Sequence, residues 1–122
     1  MMRWIALAMA LCGPGAALAQ EAGQKTAIVH CGRCHVVPGG NPYGSIGSTP
    51  SFAAMRGYPD WKARFEAFYA EPPHAAITQI EGVTPAFERP PPIAPVTMTE
   101  ADLAAILAFV ATIAPKDVGT MD

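Results

Sequence analysis

The stretch Cys31-Gly32-Arg33-Cys34-His35 determines how the rest of this sequence is interpreted. It contains two of the three cysteines of the chain, and the third, Cys12, lies near the N-terminus. A disulfide between Cys31 and Cys34 would close a very short loop, so it would remove little entropy from the unfolded chain. The pair of thiols therefore indicates chemistry rather than a structural cross-link.

The spacing of these residues matches the C-x-x-C-H pattern of covalent haem attachment. Two thiols three positions apart can reach two vinyl groups on adjacent pyrroles of one porphyrin, and the next residue then lies under the iron. We therefore predict one covalently attached haem c per chain, with its iron. Cys31 and Cys34 would form the thioether bonds, and His35 would be the proximal iron ligand.

Two other kinds of site use a C-x-x-C pair. Tetrahedral zinc needs four ligands, but no second cysteine pair and no downstream histidine pair completes the set, and His30 and His35 flank the cysteines too closely. A thioredoxin-like dithiol would begin a helix within a βαβ unit, and no β-rich run flanks this motif. Both alternatives explain the motif less well than haem does.

The N-terminal segment is typical of a secretory signal peptide. Arg3 supplies the positive charge, an apolar run extends from Trp4 to Leu11, and Ala17-Leu18-Ala19 offers an A-x-A cleavage site. The apolar run is shorter than the roughly 20 residues of a membrane-spanning helix. We predict a signal peptide at residues 1–19, a mature domain at residues 20–122 and a periplasmic location.

The composition describes one globular domain. The chain has 122 residues, of which 51% are hydrophobic and 15% are charged, and its formal net charge is −2. A chain of this length has room for a single domain. It also lacks the surplus of positive charge that nucleic-acid binding requires. We expect a monomer with no nucleic-acid partner and no stable membrane span.

Helical patterns dominate the mature part of the chain, so we predict an all-α fold. A first helix would run from Glu21 to about His35, and a helix starting at Pro59-Asp60 would carry an aromatic stripe as far as Pro72-Pro73. A short helix is expected from Pro73 to Ile80. The last helix has Thr99 as its cap. Its predicted buried face consists of Leu103, Ile106, Leu107, Val110 and Ile113.

The segments between these helices are predicted to be loops that cover the haem. Turn-forming residues dominate from Pro38 to Pro50, and prolines restrict the backbone from Pro85 to Pro95. Apolar side chains in and after the first loop favour its packing against the haem. These side chains are Tyr43, Ile46, Phe52 and Met55.

From Glu21 to Ile113 the chain resembles the class I c-type cytochromes. The resemblance rests on the C-x-x-C-H motif after an N-terminal helix, on Gly23 eight residues before the first motif cysteine, and on Phe109 in the last helix. It implies a cytochrome c-like fold in which the N- and C-terminal helices pack together around one covalently bound haem. Ala27 departs from the family pattern, which often has an aromatic residue there.

The resemblance also implies a sixth iron ligand, usually a methionine on the loop before the last helix. The family's frequent Met-Pro-Ala-Phe is here Thr84-Pro85-Ala86-Phe87, and Met98 is the methionine in that region. Met98 is therefore the candidate distal ligand, and His74 is the runner-up, which would give a bis-histidine haem. With neither bound, the iron would be five-coordinate and could bind a gas or peroxide.

The function that follows is single-electron transfer, without catalysis, by a periplasmic cytochrome. Its expected partners are redox proteins, such as a dehydrogenase, an oxidase or another cytochrome, that meet it through small transient interfaces. Two alternatives stay open. One is a five-coordinate haem c sensor or enzyme for gas or peroxide, and the other is a dedicated cytochrome subunit of a periplasmic dehydrogenase.

Overall fold

The computed structural model describes residues 13–44, 46–85, 88 and 90–116. The expected signal-peptide residues Arg3 and Trp4 to Leu11 lie outside this part of the chain, as do Cys12 and Ala86-Phe87. None of the helices within the described ranges combines the length and the apolar character that crossing a membrane requires.

The described chain is mostly helical, with one very small sheet. In chain order the elements are α1 at Pro14–His30, α2 at Phe52–Arg56, α3 at Trp61–Ala67, 3-10 helices at Phe68–Ala70 and His74–Ala76, β1 at Thr78–Ile80, β2 at Val96–Met98 and α4 at Glu100–Val110.

The crossing of α1 and α4 forms the centre of the fold, as the resemblance implied. Gly23 is buried on α1, and a Cβ atom at this position would collide with the backbone carbonyl of Ala105 on α4. Only glycine therefore permits this close approach of the two helix backbones. Ala27, one turn further along α1, is fully buried, so a small residue fits where the family often has an aromatic one.

The last helix begins as predicted, at a complete capping box. The Thr99 hydroxyl accepts a hydrogen bond from the backbone N–H of Asp102 at 3.0 Å, and the Asp102 carboxylate accepts one from the backbone N–H of Thr99 at 2.8 Å. Ile106 and Val110 are buried as expected, together with Phe109. The capping box therefore fixes where α4 starts and which face it turns to the core.

The all-α prediction missed a two-stranded parallel sheet. β1 pairs with β2 so that Thr78 lies beside Val96 and Ile80 lies beside Met98. Each strand has only three residues, which is too short for an alternating pattern to stand out in the sequence. The predicted helix from Pro73 to Ile80 was correspondingly wrong, because this segment contains one 3-10 turn at His74–Ala76 and, after Ile77, the strand β1.

Other elements also differ from the predictions. The first helix begins at Pro14 instead of Glu21, and the aromatic helix is α3 at Trp61–Ala67 followed by the 3-10 helix at Phe68–Ala70. The first helix ends at His30, and residues 31–34 form turns instead of continuing the helix to His35. The segment after Pro50 contains the short helix α2, which the Ser51 side chain caps by accepting a hydrogen bond from Ala54 N–H at 3.1 Å. Phe52 on this helix is 1% exposed, so α2 places one buried aromatic ring beside the motif.

Candidate haem-binding site

The C-x-x-C-H motif begins where α1 ends. Cys31 caps the helix, and its backbone N–H donates to the carbonyl of Ala27 at 2.8 Å. The backbone N–H of His35 then donates to the Cys31 carbonyl at 2.8 Å, which closes a turn that places both thiols and the imidazole against one cavity. Cys31 and Cys34 are both free and partly buried.

This cavity has a volume of about 860 Å³ and is bordered mainly by apolar side chains. That volume lies toward the upper end of the usual range for sites of small organic ligands. The larger apolar side chains that border it include Ile46, Phe52, Met55, Phe65, Phe68, Ile77, Ile93, Val96, Met98 and Ile106. The cavity is therefore suited to a large and mostly apolar group.

The ring of His35 is held in a defined orientation. Its Nδ1–H donates to the backbone carbonyl oxygen of Pro50 at 2.6 Å, and the Phe52 ring packs edge-on with ring centres 5.9 Å apart. Because the carbonyl can only accept, the hydrogen bond places the proton of the neutral ring on Nδ1 and leaves the lone pair on Nε2. Sequence reasoning predicted His35, and Phe52 as one of the side chains that cover the haem, but missed Pro50, since a carbonyl partner has no sequence signature.

The electrostatics of the motif do not suit a reactive dithiol. Burial raises the pKa of the Cys31 thiol to about 11, although the nearby Arg33 guanidinium acts in the opposite direction. The pair also lies at the C-terminal end of a helix, where the helix dipole disfavours a thiolate. Redox-active dithiols need the opposite, a lowered thiol pKa at a helix N-terminus.

A protein-bound metal cluster is also not apparent in the part of the chain that the structure describes. No group of three or more His, Cys, Asp or Glu side chains there is arranged to hold a metal ion. A zinc site would need four such ligands. The cysteines and His35 are instead arranged along one wall of the apolar cavity, which is what a macrocycle with its own metal requires.

The two candidates for the distal ligand lie in different environments, although both border the cavity. Met98 is 2% exposed, and its strand pairs with Ile80 in the hydrophobic core. His74 is half-buried on the 3-10 helix, and its ring is nearly parallel to that of His35, with an interplanar angle of 13° and ring centres 6.0 Å apart. The His74 ring therefore lies close to the ring of His35.

The surroundings of His74 favour the neutral imidazole. Burial lowers the pKa of His74, and the neighbouring His35 lowers it further. The ring of Phe68 packs edge-on against it, with ring centres 5.3 Å apart and planes at 84°. Neutral imidazole is the form that binds metal ions.

Some of the described residues in the loops expected to cover the haem border the cavity. Ile46 from the first loop borders the cavity, as do Phe52 and Met55 after it, whereas Tyr43 is 89% exposed and lies elsewhere. Of the described residues in the proline-rich segment, Ile93 reaches the cavity. The segment is tied to the motif by Arg33, whose Nη1 donates to the carbonyl of Ala94 at 3.0 Å.

Part of the aromatic stripe also borders the cavity. The stripe consists of Trp61, Phe65, Phe68 and Tyr69. Phe65 and Phe68 border the cavity, and Phe65 packs edge-on against Phe52 with ring centres 5.2 Å apart. Trp61 packs against the core, and the Arg56 guanidinium lies over its ring at 4.4 Å from the centre. The helix that carries the stripe thus supplies both core packing and part of the cavity wall.

Comparison with known proteins agrees with this geometry. The family model described as cytochrome c matches residues 20–114, which is most of the chain. Searches of curated proteins and of solved structures give no match. The cytochrome c family implies a covalently bound haem c with its iron, and the cavity bordered by Cys31, Cys34 and His35 fits that group. The chain therefore belongs to the cytochrome c family.

Proposed function

We propose that this protein carries single electrons between redox proteins in the bacterial periplasm. The observation that carries the proposal is the placement of both thiols and of His35 along one wall of a large apolar cavity. Cys31 and Cys34 would hold the haem by thioether bonds, and Nε2 of His35 would bind the iron. When bound, the haem supplies a one-electron couple between ferric and ferrous iron.

The chain's own residues keep that couple shielded and rigid. Phe52 and Phe65 are buried and form an apolar part of the cavity wall, which would limit the access of water to a bound haem. The Pro50 carbonyl holds the His35 ring, so the proximal ligand does not reorient between the two oxidation states. An apolar and rigid site of this kind favours fast electron exchange over bond-making chemistry.

The periplasmic location rests on the predicted signal peptide. Every residue from 13 to 18 is exposed, although these residues belong to or adjoin α1. Among the described residues 13–19, cleavage after Ala19 would therefore remove no buried side chain, and Gly23 and Ala27 would remain in place against α4. The N-terminal residue of the secreted protein, read by mass spectrometry, tests this: Gln20 is expected.

Exposed apolar side chains beside the cavity support transient contact with redox partners. Ile46 and Ile93 both border the cavity, and they are 48% and 50% exposed. Such residues mark the side of the molecule on which the haem would be closest to the surface. Electron-transfer complexes commonly use small interfaces of this type.

The experiment that tests the function is a potentiometric titration of the protein produced with haem-attachment machinery. We expect a reversible one-electron transition and no catalytic turnover of peroxide. A purified protein that turns over peroxide, or whose ferric form takes up cyanide at once, would instead favour the five-coordinate alternative. Recovery of the native protein only in a complex with one dehydrogenase would favour the subunit alternative.

A further inference from the structure

His74 lies where a ligand from the distal side of the iron would be expected. Its ring centre is 6.0 Å from that of His35, and the two planes differ by 13°. Two imidazoles that bind one metal ion from opposite sides have ring centres about 6 Å apart, because each metal–nitrogen bond is about 2.0–2.1 Å long. The observed separation is too large for direct stacking and leaves room for one metal ion.

The local structure keeps His74 in this place. The carbonyl of His74 accepts a hydrogen bond from Ile77 N–H at 2.9 Å, and Ala75 N–H donates to the Glu71 carbonyl at 3.0 Å. Phe68 packs edge-on against the ring. The structure records no hydrogen bond to the His74 ring from any described residue, so both its nitrogens remain available.

Met98 is placed less well for the same role. Met98 borders the cavity, but it is 2% exposed and belongs to the hydrophobic core together with Ile80 and Ile106. Its backbone is fixed on both sides, since its carbonyl accepts from Glu81 N–H at 2.9 Å and the next residue is the Thr99 cap. Met98 therefore resembles a core residue that closes the end of the small sheet.

From these contacts we propose that His74 is the second axial ligand, so that the iron is held by His35 and His74. The proposal rests on the proposed function, because it assumes the haem attached at Cys31 and Cys34. In this arrangement Met98 is a core residue of β2, beside Ile80 of β1. The proposal also implies a lower reduction potential than methionine would give, because thioether sulfur favours the ferrous iron.

The first test uses the unsubstituted protein. The proposal predicts a low-spin ferric spectrum that lacks the weak red band of methionine-ligated haem. It also predicts that the proton spectrum of the ferrous protein lacks the strongly upfield methyl signal of a methionine held over the porphyrin. Either methionine signature would overturn the proposal, and so would a high-spin ferric spectrum.

The second test compares matched variants. H74A is expected to become high-spin, to bind carbon monoxide readily in the ferrous state, and to regain a low-spin spectrum when free imidazole is added. M98L, which nearly conserves side-chain volume, and M55L are expected to keep the low-spin spectrum. A low-spin spectrum that persists in H74A, or is lost in M98L alone, would contradict the assignment.

Covalent haem content distinguishes an error in the ligand assignment from an error in the proposed function. Each preparation is denatured, and its haem is measured in pyridine and by the mass of the chain. Haem that is covalently attached but has the wrong ligand signature overturns the assignment of His74 alone. An unsubstituted protein with no covalent haem overturns the proposed function as well.

Discussion

At the scale of single residues, one backbone carbonyl does much of the positioning. The Pro50 oxygen accepts from His35 Nδ1, and this leaves Nε2 as the only ring nitrogen with a free lone pair. The motif predicts which side chain would bind iron. It could not tell us which group would orient the ring, because Pro50 lies in a loop and acts through its backbone.

The two cysteines should make separable contributions to attachment. In C31A or C34A one thioether is lost, so one vinyl group stays conjugated with the porphyrin ring. We expect the pyridine complex of each single variant to absorb at a longer wavelength than that of the unsubstituted protein. An unchanged wavelength in either variant would show that the replaced cysteine carries no haem bond.

At the scale of elements, the helices that pack against each other were predicted better than the pieces between them. The capping box of α4 and the helix that leads into the motif have local signatures, and the crossing glycine was expected from the family resemblance. β1 and β2 have none, because three residues show no period and their pairing joins distant parts of the chain. His74 was recognised only as a candidate, since its position opposite His35 depends on the tertiary fold.

Gly23 should be intolerant of any side chain. In G23A the added Cβ would collide with the Ala105 backbone, so α1 and α4 would have to separate. We expect the free energy of unfolding to fall by about 1–3 kcal/mol, measured with urea on the haem-loaded protein. G47A is the matched control, because a Cβ at Gly47 meets nothing within 4 Å. Equal stability of the two variants would contradict the described crossing.

The capping box should add stability that depends on pH. Hydrogen bonds from Thr99 hold the pKa of Asp102 below its ordinary value of 3.8. The ionised carboxylate therefore stabilises the fold above the unfolded-state pKa, and this contribution is lost as the pH falls through the lowered folded-state pKa. T99A should lose about 1 kcal/mol at neutral pH.

The same comparison at acid pH provides the check on this prediction. Urea unfolding of the unsubstituted protein and of T99A should give curves whose difference narrows as the pH is lowered below 3.8. A difference that stays constant with pH would show that the Asp102 charge adds nothing to the cap.

At the scale of the whole molecule, the cavity is too large to be left unfilled without consequence. A cavity of about 860 Å³ lies between the motif, α2, α3 and the small sheet, so a haem bound there would complete the hydrophobic core. We expect the double variant C31S/C34S, made without haem, to lose its near-ultraviolet circular dichroism and its cooperative urea transition. A cooperative transition in that variant would mean that the polypeptide folds by itself.

The side of the molecule that carries Ile46 and Ile93 should govern electron exchange. Electron self-exchange between two copies, measured by magnetisation transfer in mixtures of the two oxidation states, avoids the need for a known partner. I46E and I93E are expected to slow it by about tenfold, because like charges would then meet at the contact. V29E is the control, since Val29 is 66% exposed but does not border the cavity. Equal slowing by V29E would indicate a general charge effect.

The most direct test of the whole account is the haem content of the secreted protein. The protein is produced with haem-attachment machinery, extracted with acidified acetone to remove loosely bound haem, and analysed by mass and by its pyridine spectrum. The account predicts one haem that stays with the chain and is absent from C31S/C34S. A chain that leaves this extraction without haem would contradict it.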